Sequence, residues 1–151
     1  MIKLADFLSK SELDNIAKQA IRIGDVYRIE MNRANGITPK PGDDSRNKFF
    51  VVLGFDAEGN AYGGVIINSV INKNVPQSIQ DWHMPIKCSK YHFLAHNSFV
   101  DCSKLKSVSL EKFEKWEFKG RMDDEDVQLI IATVKGSPNE NPKHLAMYGL
   151  S

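Results

Sequence analysis

Residues 48–70 run KFFVVLGFDAEGNAYGGVIINSV. Phe49 to Phe55 is almost continuously apolar, Asp56-Ala57-Glu58-Gly59-Asn60 is a five-residue turn, and Ala61 to Val70 returns. Two such runs about a short turn predict an antiparallel hairpin. Gly63-Gly64 inside the returning strand marks a bulge or a bend, which a small closed barrel needs at its corners. Just upstream, residues 41–47 (PGDDSRN) form a polar loop that runs without transition into the first strand, with Arg46 and Lys48 at the seam. A cation fixed on a rigid strand beside a mobile loop suits the holding of an anion. It is also how many strands begin.

Outward from the hairpin, the signals continue on both sides. Ser9 and Glu12 have capping-box spacing, Leu8 and Leu13 sit where a hydrophobic staple closes, and Leu13, Ile16, Ala17, Ala20 and Ile21 recur at helical intervals. This predicts an N-terminal helix ending near Ile23-Gly24. From Gly24 the period becomes two, with Val26, Arg28 and Glu30 alternating with Tyr27, Ile29 and Met31, as in a strand with unlike faces. Asn35-Gly36, Pro39, Pro41-Gly42 and Asp43-Asp44 then make a long loop, of the length that is usually functional or disordered. Beyond the hairpin, Asn72 to Asp81 is loop-like, and Trp82 to Ile86, Phe99 to Cys102 and Leu105 to Val108 supply further short strands. Ser109 begins a short helix through Leu110, Phe113 and Trp116 that Gly120 ends. Asp123 opens a last helix with Val127, Ile130, Ile131 and Val134 on one face, and Asp124, Glu125 and Asp126 at its positive end.

The length of 151 residues suits one domain, divided as an N-terminal helical extension over 1–23, a barrel with helices over 24–138 and a tail over 139–151. With 42% hydrophobic and 26% charged residues the composition excludes a disordered or fibrous chain. The net charge of +1 means that any nucleic-acid role must rest on a local patch. No signal-peptide pattern and no apolar run of membrane-spanning length is present in the sequence, so a cytoplasmic protein without membrane contact is expected. Cys88 and Cys102 are then reduced thiols. No repeat appears.

The order of signals resembles the MazF/PemK family of toxin endoribonucleases. The residues that carry the resemblance are Gly24-Asp25-Val26-Tyr27, the long polar loop, the cation before Phe49-Phe50-Val51-Val52-Leu53, Ile66-Ile67-Asn68-Ser69, residues 91–102 (YHFLAHNSFVDC), Gly120 and the closing helix. The resemblance spans roughly Gly24 to Pro138. It implies an α+β protein built on an SH3-like small β-barrel with an N-terminal helix and C-terminal helices. It also implies a homodimer that cuts single-stranded RNA without a metal and is silenced by an antitoxin protein. Where that family carries Arg-Pro, this chain has Lys48-Phe49, with Arg46 two residues earlier. The family's hydroxyl partner has a candidate in Ser69, with Asn68 a second candidate for the position. The resemblance further implies that arginine at position 48 keeps or raises activity.

Metal-free RNA cleavage uses the ribose 2′-hydroxyl as nucleophile and needs a general base, a general acid and a fixed cation. Lys48 and Arg46 are the catalytic cations on this reading, and Ser69 holds a phosphate oxygen, since hairpin pairing brings the two strand ends together. The plainer alternative is that both cations solvate a strand end and Ser69 satisfies a backbone group. Between His83 and Lys106 lie three of the four histidines with Lys87, Lys90, Lys104 and Lys106, against Asp101 alone. This stretch is the candidate RNA groove, with Lys87, Lys90, His92, His96 and, on the hairpin, Asn68 as contacts, and Trp82, Tyr91 and Phe93 available to stack bases. His83, His92 and His96 titrate in a useful range, yet each has a structural alternative. Cys88, His92, His96 and Cys102 compose an accepted zinc set, but their spacing suits one helical face and the segment looks half extended. No metal and no cofactor is expected. The alternative function is an inactive barrel module that binds RNA or a protein partner.

Overall fold

The computed structural model describes residues 20–150. The hairpin forms as its pattern predicts. Strands β2 (Ser45–Phe55) and β3 (Ala61–Asn68) pair antiparallel, with Phe49 opposite Ile67, Phe50 opposite Ile66 and Val51 opposite Val65. Around it are β1 (Asp25–Asn32), β4 (His83–Ile86), β5 (Ser98–Ser109) and β6 (Glu117–Arg121), all antiparallel, in the order β4-β5-β3-β2-β1-β6. The helices are α1 (Gln77–Gln80), α2 (Asp124–Gly136) and α3 (Pro142–Met147), with 3-10 turns at Arg33–Asn35 and Leu110–Lys115.

The near-continuous apolar character of β2 and β3 has a direct cause: the sheet is buried on both faces. Val51, Leu53, Val65 and Ile67 pack with Val127, Ile130 and Val134 of α2 and with Leu145 and Tyr148. Phe50, Val52, Tyr62 and Ile66 pack with Tyr27, Ile29 and Met31 on the opposite face. Each such side chain contributes about 1.5–3 kcal/mol through burial, so the hairpin is the main anchor of the fold. It leaves little of itself to cover, which removes the bare apolar hairpin as a reason to expect a homodimer.

The expected SH3-like barrel is not formed. Among the described residues the sheet is open, because its edge strands β4 and β6 pair with β5 and β1 only. Two features account for this. Pro85 in β4 has no N–H to give an outer neighbour, which suits an edge. The loop between β4 and β5 also reaches β6 and the start of α2 through side chains instead of backbone ladders. The Phe93 ring lies 2.8 Å from where a Cβ on Gly120 would stand, and Lys90 pairs with Asp123 and Asp126 at 2.8 and 2.9 Å. The expected N-terminal helix falls on residues 1–23, of which 1–19 lie outside the described residues; by Ile21 the chain is no longer helical.

Other expectations divide. The last helix forms with Asp123 as its cap, accepting from the Asp126 N–H at 2.8 Å. The two short strands expected at 99–102 and 105–108 are one bent strand, β5. Gly120 lies inside β6, a strand the sequence reading missed. The segment read as a tail carries α3 and sends Leu145, Tyr148 and Leu150 into the core.

The bends follow from local chemistry. Between Val52 and Gly54, β2 takes an extra residue against β3. Between the pairs Gly64–Lys106 and Ile66–Asp101, β5 bulges over residues 102–105. Two N–H groups of this bulge find side-chain acceptors in place of a ladder partner: Ser103 N donates to Asp101 Oδ1 at 3.0 Å and Leu105 N to Glu140 Oε2 at 2.7 Å. The Glu140 side chain is fully buried and its other oxygen lies 2.8 Å from His144 Nδ1. Glu140→Ala is therefore expected to destabilise the protein by roughly 2 kcal/mol, the cost of an orphaned buried donor. Urea unfolding of parent and variant measures it, and an unchanged midpoint contradicts it.

Candidate functional site

The site lies where the apolar face of the hairpin turns polar. Arg46, Lys48, Phe50 and Val52 alternate onto one face of β2; Phe50 and Val52 are core, and the two cations continue the same face past it. Extending the β2–β3 register by one step places Lys48 opposite Asn68, and the Lys48 ammonium donates to Asn68 Oδ1 at 2.7 Å. Asn68, rather than Ser69, is thus the partner of the strand cation. Ser69 is exposed and lies at the rim.

The next row of the same face is Phe50, Ile66, Asp101 and His83 across β2, β3, β5 and β4. His83 Nδ1 lies 3.1 Å from the Ile79 carbonyl, which can only accept, so this nitrogen carries the proton. In the neutral ring Nε2 is then an acceptor, and Asn68 Nδ2 sits 3.4 Å from it. Asp101 Oδ2 is 3.9 Å from the same nitrogen, and Asp101 Oδ1 accepts from Ser103 N and Oγ at 3.0 and 2.6 Å. The side chains of His83 and Asp101 are only 3% and 9% exposed. Lys48, Asn68 and His83 form a continuous relay, with Asp101 placed to support an imidazolium.

A cleft of about 570 Å³ opens over this relay, lined among others by Arg46, Lys48, Lys73, Lys104, Lys106 and Asp101. Five cations face one carboxylate, so the cleft is strongly positive in a chain of net charge +1. The bulge in β5 delivers Ser103 and Lys104 to it. The long loop after β1 closes one side, with Asn35 Nδ2 donating to the Ser107 carbonyl at 2.9 Å.

Burial, followed by repulsion from Arg46, lowers the Lys48 amine from 10.5 to about 8, with Asp101 opposing the shift. Its proton is therefore exchangeable near neutral pH. The folded value lies below the unfolded one, so between pH 8 and 10.5 the unfolded chain binds more protons and stability rises with pH. Below pH 8 the charged, half-buried amine is a constant cost. Lys48→Met removes this dependence, and its stability relative to the parent should decline from pH 7 to pH 10. Urea unfolding at both values checks this; a gap independent of pH contradicts it.

The expected site residues separate in space. Arg46, Lys48, Asn68 and Ser69 come together in the cleft. His96 lies in an adjoining hollow. Lys87 and His92 are exposed and line neither, and Lys90 is committed to Asp123 and Asp126. From the basic stretch read in the sequence, Lys104 and Lys106 line the cleft, joined by Lys73 from the loop after β3. His83 was one of three titrating candidates; its pairing with Asp101 was legible only through the alignment of β4 with β5. Trp82 packs near Gly136, and Tyr91 hydrogen-bonds Asp126. Cys102 is fully buried, which pushes its thiol up to about 12. Among the described residues no three His, Cys, Asp or Glu side chains gather as a metal-ligand set, and no helix is long and apolar enough to cross a membrane.

No family model and no curated protein matches the chain. With the closed barrel absent, the resemblance to MazF/PemK toxins keeps only its short motifs, and the toxin–antitoxin assignment is not carried forward.

Proposed function

We propose that the cleft binds single-stranded RNA and cleaves it without a metal. The observation that carries this reading is Lys48: a half-buried amine with its proton poised near neutral pH, held by Asn68 next to an acceptor nitrogen of His83, inside a cleft lined with further cations. On this reading the bound strand displaces Asn68 Nδ2 from His83 Nε2, which then takes the proton of the 2′-hydroxyl; the 2′-oxygen bonds to phosphorus, and the bond to the 5′-oxygen breaks. Lys48 gives its proton to that departing oxygen. Asp101 stabilises the imidazolium that forms, and Arg46 and Ser69 hold the phosphate at the rim. The products are a 2′,3′-cyclic phosphate and a 5′-hydroxyl.

The test is incubation of the purified protein with unstructured RNA in excess chelator, followed by analysis of the product ends. Cyclic phosphate and 5′-hydroxyl ends support the reading. RNA that is bound but left intact favours a binding module, and RNA that is neither bound nor cut removes both.

A further inference from the structure

The geometry points to a nucleobase subsite in the hollow beside Lys48, occupied by the base next to the phosphate that Arg46 and Lys48 hold. The inference rests on the RNA reading of the main cleft. Where β3 ends at Asn68, the edge of β2 continues without that neighbour through Arg46 and Asn47. The main cleft lies on one side of this edge. On the other is a hollow of about 280 Å³, lined by Phe49, Phe93, Leu94, His96 and Ile67, and also by Arg46, Lys48 and Ser69. The two spaces therefore share their cationic rim and otherwise differ in chemistry: one is ionic, the other aromatic and apolar.

The hollow is built to stay in shape. The Phe49 and Phe93 rings meet edge-on at 6.0 Å, and Phe93 is backed by Tyr91 at 5.6 Å and by the Gly120 backbone. Phe93 remains half-buried and His96 exposed, so both retain surface for a ligand. A flat, apolar-faced group linked to an anion matches this pair of spaces, and aromatic side chains beside a cationic track are the usual means of holding successive bases of a single strand. The route over a strand edge is sharply bent. A flexible single strand can follow it and a duplex cannot.

The experiment compares two chains of equal length that cannot be cleaved: a 2′-O-methyl octamer of uridylate and the corresponding abasic octamer. The parent is expected to bind the base-bearing chain at least roughly tenfold more tightly. Phe93→Leu and His96→Ala should each reduce that preference while leaving affinity for the abasic chain unchanged; His96 is exposed, so its variant does not depend on refolding of the core. Equal binding of the two chains by the parent, or an unaltered preference in both variants, overturns the subsite and leaves the RNA cleft standing. Failure to bind either chain removes the cleft and the subsite together.

Discussion

Lys48→Ala is expected to slow single-turnover RNA cleavage by roughly 10²–10³-fold while weakening RNA binding by less than about tenfold. The difference arises because Arg46, Lys73, Lys104 and Lys106 remain to hold the phosphates, whereas the Lys48 amine is the cation that, among the described residues, joins the Asn68–His83 relay. Charge that develops on the departing oxygen is felt in the transition state and not on binding, so its loss falls on the chemical step. Lys48→Arg separates charge from proton transfer. Arginine stays protonated at any working pH, so the variant should bind RNA as the parent does and still cleave at least roughly tenfold more slowly. The family resemblance alone implies the reverse. Arg46→Ala should instead weaken binding and flatten its dependence on salt, as the loss of one phosphate contact does.

A large loss of stability is expected at Gly54. A Cβ built there stands 2.1 Å from the Tyr148 carbonyl oxygen, and one at Gly63 stands 2.5 Å from the Tyr148 ring. Neither obstacle is the flexible end of a side chain. Gly54→Ala must displace the backbone after α3 or distort the β2 bulge, at a cost of about 3 kcal/mol. For a chain of this length that corresponds to a loss of roughly 10 °C in Tm. Gly42→Ala is the control, because none of the described residues lies within 4 Å of its Cβ position, although its positive φ adds a smaller strain. Thermal unfolding of the three proteins decides the matter; a Gly54 variant that melts with the parent would mean that Tyr148 does not dock as described.

The hairpin was legible because two apolar runs flank a short turn. The pairing beside that turn, Phe55 with Tyr62, would set Lys48 against Ser69; the extra residue of β2 between Val52 and Gly54 shifts the partner to Asn68. The closing helix was legible from Asp123 and the spacing of Val127, Ile130 and Val134. The open sheet was not. Continuous apolar runs fit a strand buried on both faces as well as a strand in a barrel wall, and only the packing of α2 and α3 on one face decides between them. The short helix α3, inside the segment read as a tail over 139–151, was missed because six residues carry no long periodic pattern; Pro142 opens it at a position that needs no N–H. Within the site, local signals located Arg46, Lys48, Asn68 and Ser69. Of the basic stretch from His83 to Lys106, Lys104 and Lys106 reach the cleft while Lys87 and Lys90 lie away from it. What joined His83 and Asp101 was the β4–β5 register, a long-range pairing that no local pattern encodes.

The central claim is that the lowered amine of Lys48 delivers a proton during RNA cleavage, and the pH profile of single-turnover cleavage in chelator tests it most directly. The parent rate should fall as pH rises through about 8, where the donor is lost, and Lys48→Arg should show a slower rate with no break there. A parent profile that stays flat from pH 7 to pH 9.5, or a break near 8 that persists in Lys48→Arg, would contradict the account.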